Sequence, residues 1–142
     1  MTELQELEVP GPIENKLTEP FWVGASEGQF KLQRCNNCKV AIFYPRAFCP
    51  KCWSSNLTWV DASGKGKLKS FSIIWKPGHP TWIPAVPYVV GLVELEEGPT
   101  MLSHILKTGD NLQIGDPLQF ISTNIGGRVL PCFQISKKIV RK

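Results

Sequence analysis

At 142 residues, with 42% hydrophobic and 20% charged residues, the chain suits one ordinary domain, or a small module plus a modest β-domain, and is too apolar to be disordered. No apolar run approaches the ~20 residues of a membrane-spanning helix, and the acidic opening Met1-Thr2-Glu3-Leu4-Gln5-Glu6 is unlike a basic secretory or mitochondrial leader, so a cytosolic protein is expected. The net charge of +4 is uneven: residues 1–19 carry −4 and the remainder +8, which suits an anionic partner (cofactor phosphates, nucleic acid or an acidic protein) or a solvated surface balanced by its own tail.

Residues 1–17 read as an acidic tail in which Pro10-Gly11-Pro12 breaks any helix. Thr18-Glu19-Pro20 reads as a helix start with Thr18 as the cap; the helix carries Phe21, Trp22 and Ala25 and stops at Gly28. Strands are expected at 30–34, 41–44 and 56–60, around two cysteine pairs. Ser63-Gly64-Lys65-Gly66 is the expected junction, dividing a helix-plus-ribbon unit (18–62) from a β-domain (63–142). In the latter, strands are expected at Lys67–Ile74, Tyr88–Leu95, Thr100–Leu106, Leu118–Ser122 and Arg128–Ile135. Turns at Glu97-Gly98-Pro99, Gly109-Asp110-Asn111, Gly115-Asp116-Pro117 and Gly126-Gly127 separate them. Five short strands without helices point to a small barrel of the OB type. Between the first two, residues 75–87 hold four prolines and two tryptophans and read as a stiff loop.

Cys35-x-x-Cys38 and Cys49-x-x-Cys52 stand ten residues apart. Two tight turns of this spacing aim four sulfurs at one point, which suits a tetrahedral thiolate site. Disulfides are disfavoured in a reducing compartment, and five cysteines cannot all pair. Zinc is expected, with iron the competing metal. With all four positions filled by sulfur, the site is structural and not catalytic. Arg34, Lys39, Arg46 and Lys51 stand beside the ligands and can offset the −2 charge of four thiolates on a dication. Cys132 reads as a buried core thiol.

No Walker loop, dinucleotide fingerprint or Gly-x-Ser-x-Gly occurs, and Gly64-Lys65-Gly66 is too short to cradle a phosphate alone. The two histidines, His79 in the proline-rich loop and His104 in a strand, have no partner evident in the sequence. No independent turnover is expected.

Taken in order, Pro20-Phe21-Trp22, Arg34-Cys35-x-x-Cys38, Phe43-Tyr44-Pro45-Arg46, Cys49-Pro50-x-Cys52, Ser63-Gly64-x-Gly66, Pro87-Tyr88-Val89-Val90, Ile114-Gly115-Asp116 and Leu130-Pro131-Cys132-Phe133 resemble the zinc-ribbon/OB-fold family known as domain of unknown function 35. The likeness covers residues 18–135. It implies a mainly β chain, with a short helix and rubredoxin-like ribbon before a five-stranded OB barrel. It further implies a non-catalytic subunit of a hetero-oligomer with a thiolase-like catalytic chain, assisting assembly and acyl-CoA binding. Where that family often has glycine after each cysteine pair, this chain has Lys39 and Trp53. For coenzyme A or acyl-CoA shared with a partner, Lys67, Lys69, Lys76 and Arg128 are candidates for the phosphates, and Trp75 and Trp82 for adenine. The Phe21/Trp22 helix and the proline-rich loop are candidates for protein contact. The alternatives are a single-stranded nucleic-acid module using Lys65, Lys67, Lys69, Trp75 and Lys76, and an electron carrier with iron in the ribbon.

Overall fold

The computed structural model describes residues 7–8, 13, 15–106 and 112–136. Most of the acidic tail, including Pro10-Gly11-Pro12, and the Gly109-Asp110-Asn111 turn lie outside them. The chain is mainly β. One helix, α1 (Glu19–Ser26), precedes a three-stranded ribbon of β1 (Lys31–Cys35), β2 (Ala41–Ile42) and β3 (Leu57–Asp61), ordered β2-β1-β3 and antiparallel. Five strands then close a barrel in the order β4-β5-β6-β8-β7: β4 (Lys65–Ile74), β5 (Tyr88–Leu95), β6 (Thr100–Leu106), β7 (Pro117–Ile125) and β8 (Arg128–Ile135). Every pairing is antiparallel except β6 with β8. This is the five-stranded OB barrel expected from the strand count.

The helix ends as the sequence suggests and begins differently. Gly28 takes φ +79°, its N–H bonds Ala25 O and that of Gln29 bonds Gly24 O, closing the last turn with a left-handed residue that favours glycine. At the start, Thr18 makes no side-chain cap. Asn15 does this instead: its Oδ1 accepts the Thr18 N–H (2.9 Å) and its carbonyl accepts that of Glu19 (2.8 Å). The Thr18 hydroxyl bonds back to Asn15. Asparagine caps as well as threonine does, and here it stands one turn earlier.

β5 and β6 alternate buried and exposed residues over most of their length, the period-2 pattern of a strand with one face in a core. β7 extends three residues beyond the expected Ser122, to Ile125. The proline-rich segment is not wholly irregular, since Pro80–Ala85 forms a short 3₁₀ helix. His79 caps it, its Nδ1 accepting the Thr81 N–H at 3.2 Å.

Helix, ribbon and barrel share one core. Phe21, Phe30 and Leu32 belong to the same buried cluster as Leu68, Val93, Leu118 and Phe133. Phe30 stacks on Phe120 at 4.9 Å and meets Phe133 edge-on at 5.7 Å. The Ser122 hydroxyl donates to the Ala25 carbonyl (2.6 Å), fixing α1 against the barrel wall. Between ribbon and barrel, Gly64 takes φ +77° and lies so close to β7 that a Cβ would meet Gln119 Nε2 and Phe120 Cβ at 3.0–3.1 Å.

Candidate metal centre

β1 delivers Cys35 as its last residue, and the chain turns back at once. The Lys39 N–H bonds Cys35 O (2.9 Å), and in the second knuckle the Trp53 N–H bonds Cys49 O (2.8 Å). Lys39 and Trp53 both take left-handed φ, 66° and 64°. The two knuckles thus have the geometry that glycine adopts readily, reached here by residues that pay strain for it.

The Sγ atoms of Cys35, Cys38, Cys49 and Cys52 all lie within 4.8 Å of one another. Two of the separations, Cys35–Cys52 and Cys38–Cys49, are 3.5 Å. Bonds of ~2.3 Å to a tetrahedral zinc would place the sulfurs about 3.8 Å apart. The quartet therefore fits such an ion, and all four are free thiols. Cys35 and Cys49 are fully buried, in a small cluster with Ile42. Donors to sulfur are in place: the Cys38 N–H to Cys35 Sγ (3.4 Å), the Lys51 N–H to Cys49 Sγ (3.4 Å) and Asn37 Nδ2 to Cys52 Sγ (3.7 Å). The crowding splits the thiols. The backbone N–H of Ser54 and the Asn37 amide draw Cys52 down to about 6. The Val40 N–H also favours the Cys38 thiolate, yet desolvation and three neighbouring sulfurs outweigh it and push Cys38 up to about 11. Four sulfurs this close cannot all ionise unaided, and a dication removes that obstacle.

Sequence reasoning missed the residue that positions the loop between the pairs. Gln33 is buried on β1, and its amide grips one backbone unit at both ends: Nε2 donates to Arg46 O (2.8 Å) and Oε1 accepts the Arg46 N–H (2.7 Å). Arg34, Lys39, Arg46 and Lys51 are exposed beside the knuckles, and none forms an ion pair among the described residues, where Lys31–Asp61 is the one found.

The candidates for coenzyme A lie elsewhere. Lys67 and Lys69 are exposed on β4, followed just beyond the strand by Trp75, 70% exposed, and Lys76. Lys67 stands opposite Glu94 of β5 in the strand register. Trp82 sits apart from these: its ring stacks on His104 (5.0 Å) and packs against Tyr88 (5.3 Å). Burial pushes the His104 imidazole down, keeping it neutral at pH 7. Arg128 opens β8. Cys132 is fully buried, and desolvation pushes its thiol up to about 11.

Fold and sulfur quartet together define a zinc-ribbon protein with an OB barrel. The chain belongs to the DUF35 family: the family model described as ChsH2, rubredoxin-like zinc ribbon domain, matches residues 22–58, and that described as ChsH2, C-terminal OB-fold domain, matches residues 59–123. A solved chain of the "Ltp2-ChsH2(DUF35) aldolase" superposes with a TM-score of 0.76 at 30% identity, covering 88% of this chain and 98% of that one. A DUF35-family protein of Sulfolobus solfataricus shares the fold at 14% identity, with a TM-score of 0.62 over 86% of this chain and 87% of its own. Among curated proteins, a "Probable enoyl-CoA hydratase alpha subunit" of Thermomonospora curvata is 33% identical over 77% of this chain, which spans 34% of that protein. A "DUF35 domain-containing scaffold protein" of Methanothermobacter thermautotrophicus is 36% identical over 62% of this chain and 67% of its own. No helix among the described residues is long and apolar enough to cross a membrane.

Proposed function

We propose that this chain is a non-catalytic accessory subunit of a thiolase-fold acyl-CoA enzyme in the cytoplasm, assisting assembly of the complex and binding of acyl-CoA. The observation that carries the reading is the end-to-end likeness to the DUF35 chain of an aldolase, supported by relatives named as scaffold proteins and as alpha subunits of CoA-substrate hydratases. Cys35, Cys38, Cys49 and Cys52 hold one structural zinc, which stabilises a ribbon whose own core is a handful of residues. Of the cationic and aromatic candidates, Lys69, Trp75 and Lys76 best suit the anionic end of coenzyme A. All three are exposed, Lys69 on β4 and Trp75 and Lys76 just beyond its end, whereas Trp82 is occupied by its own aromatic neighbours.

Purification of the tagged chain from its native host, with mass identification of what accompanies it and an acyl-CoA thiolysis assay, tests this. A stable complex with a larger thiolase-like chain is expected, active together, while the small chain alone turns over nothing. Recovery of a monomer only, or activity of the isolated chain, would overturn it. Salt-sensitive retention of a single-stranded oligonucleotide at ~50 mM salt would instead favour the nucleic-acid reading.

A further inference from the structure

Two hollows meet on the outside of the barrel at Leu102. The larger, about 340 Å³, lies between α1, the segment Phe43–Pro45 and β6; the smaller, about 160 Å³, lies over β4 and β5. Twelve residues line the first and seven the second, with Leu102 common to both, and none is Asp, Glu, Lys or Arg. In a chain that is 20% charged, an exposed region of this breadth without a single formal charge is unexpected. Leu102 is 56% exposed, Tyr44 54%, and Leu92, directly opposite Leu102 on β5, 38%. Depletion of charge with aromatic enrichment marks the centre of protein interfaces. Trp22, in the wall of the larger hollow, also has a buried indole N–H with no acceptor among the described residues.

We infer that this face, centred on Leu102, is where a second, different protein chain docks, through an apolar and uncharged surface of its own that fills both hollows. The inference rests on the accessory-subunit reading and names the surface that reading requires. The chain's own ends do not suit the role. The six residues after Ser136 include four Lys or Arg, and Leu7 of the acidic tail is already buried in another cluster with Ile125 and Cys132. A second copy meeting this face about a two-fold axis would set hollow against hollow rather than supply a surface that fills them.

The test compares the full chain with Leu102→Glu and Leu92→Lys, co-purified from the native host and examined by light scattering during gel filtration. Both positions are partly exposed, so folding should survive, checked by metal content and circular dichroism. Each variant is expected to weaken the complex with the thiolase-like chain at least tenfold, while Ile114→Glu, 60% exposed and outside both hollows, leaves it intact. A complex that survives both variants overturns this surface and leaves the accessory reading standing. Absence of any complex with the unaltered chain overturns both. A homodimer of the isolated chain that Leu102→Glu dissolves would assign the face to a second copy and refute the inference.

Discussion

Replacing Gln33 by methionine keeps the length of the side chain and removes both of its hydrogen bonds. The amide holds the N–H and the carbonyl of Arg46 at 2.7 and 2.8 Å, and Gln33 itself is 4% exposed, so water cannot readily take its place. At about 1 kcal/mol net for each bond, the loss is about 2 kcal/mol, and more where the Arg46 groups are left without partners. Arg46 lies in the segment that carries Cys49 to its three partners, so the loosened loop must be re-ordered each time the ion binds. If the whole penalty falls on metal binding, affinity drops about thirtyfold, because 1.4 kcal/mol is a factor of ten. Competition with a chromophoric chelator measures this directly, and a thermal melt of the loaded protein should fall in parallel, since binding and folding of such a site are linked. Unchanged competition together with an unchanged melt would refute the claim that this amide organises the site.

Two further outcomes follow from the same geometry. With metal bound, no cysteine should react rapidly with a thiol reagent near neutral pH; a strong chelator should open the metal-stabilised ribbon and so free its four thiols, and only denaturation of the barrel should reveal the fifth, Cys132, which is fully buried with its thiol pushed up to about 11. Titration of thiols against released zinc checks this, and a fifth thiol reacting in the folded, chelated chain would contradict it. Trp53 holds φ 64° while 75% exposed, so Trp53→Gly should relieve about 1 kcal/mol of backbone strain, of which the entropy glycine adds to the unfolded chain takes back about half, and raise the melting temperature by roughly 1–2 °C. A lower melting temperature would mean that the indole makes contacts worth more than the strain.

Spacing and alternation made most of this legible. Cys35, Cys38, Cys49 and Cys52 could be grouped before any coordinates because two residues between cysteines define a turn whatever surrounds it. The barrel strands were visible because β5 and β6 bury alternate residues, a pattern that depends only on the strand's own pleat. What escaped was whatever depends on a distant neighbour. Gln33 looks like any polar residue in a strand until Arg46, thirteen residues on, is placed against it. Asn15 and Thr18 are equally competent caps, and only the path of the preceding turn chooses between them. Trp82 looks like a stacking platform in a loop, and the fold commits its ring to Tyr88 and His104.

The uncharged face was illegible for the same reason, and its construction ties it to the cysteines. One wall of the larger hollow is Met101 to His104 of β6, held in a closed barrel that shares its core with Phe30 and Leu32. The other includes Phe43, Tyr44 and Pro45, which lie between Cys38 and Cys49 and directly before the residue that Gln33 grips. Phe43 packs on Phe21 of α1 at 5.5 Å, but the chain on its far side returns to the cysteines with little core beneath it. An ion held by the four sulfurs shortens the free loop between the two pairs and so fixes where Phe43 and Tyr44 stand. A metal held there would set one wall of the proposed docking surface, while the barrel sets the other.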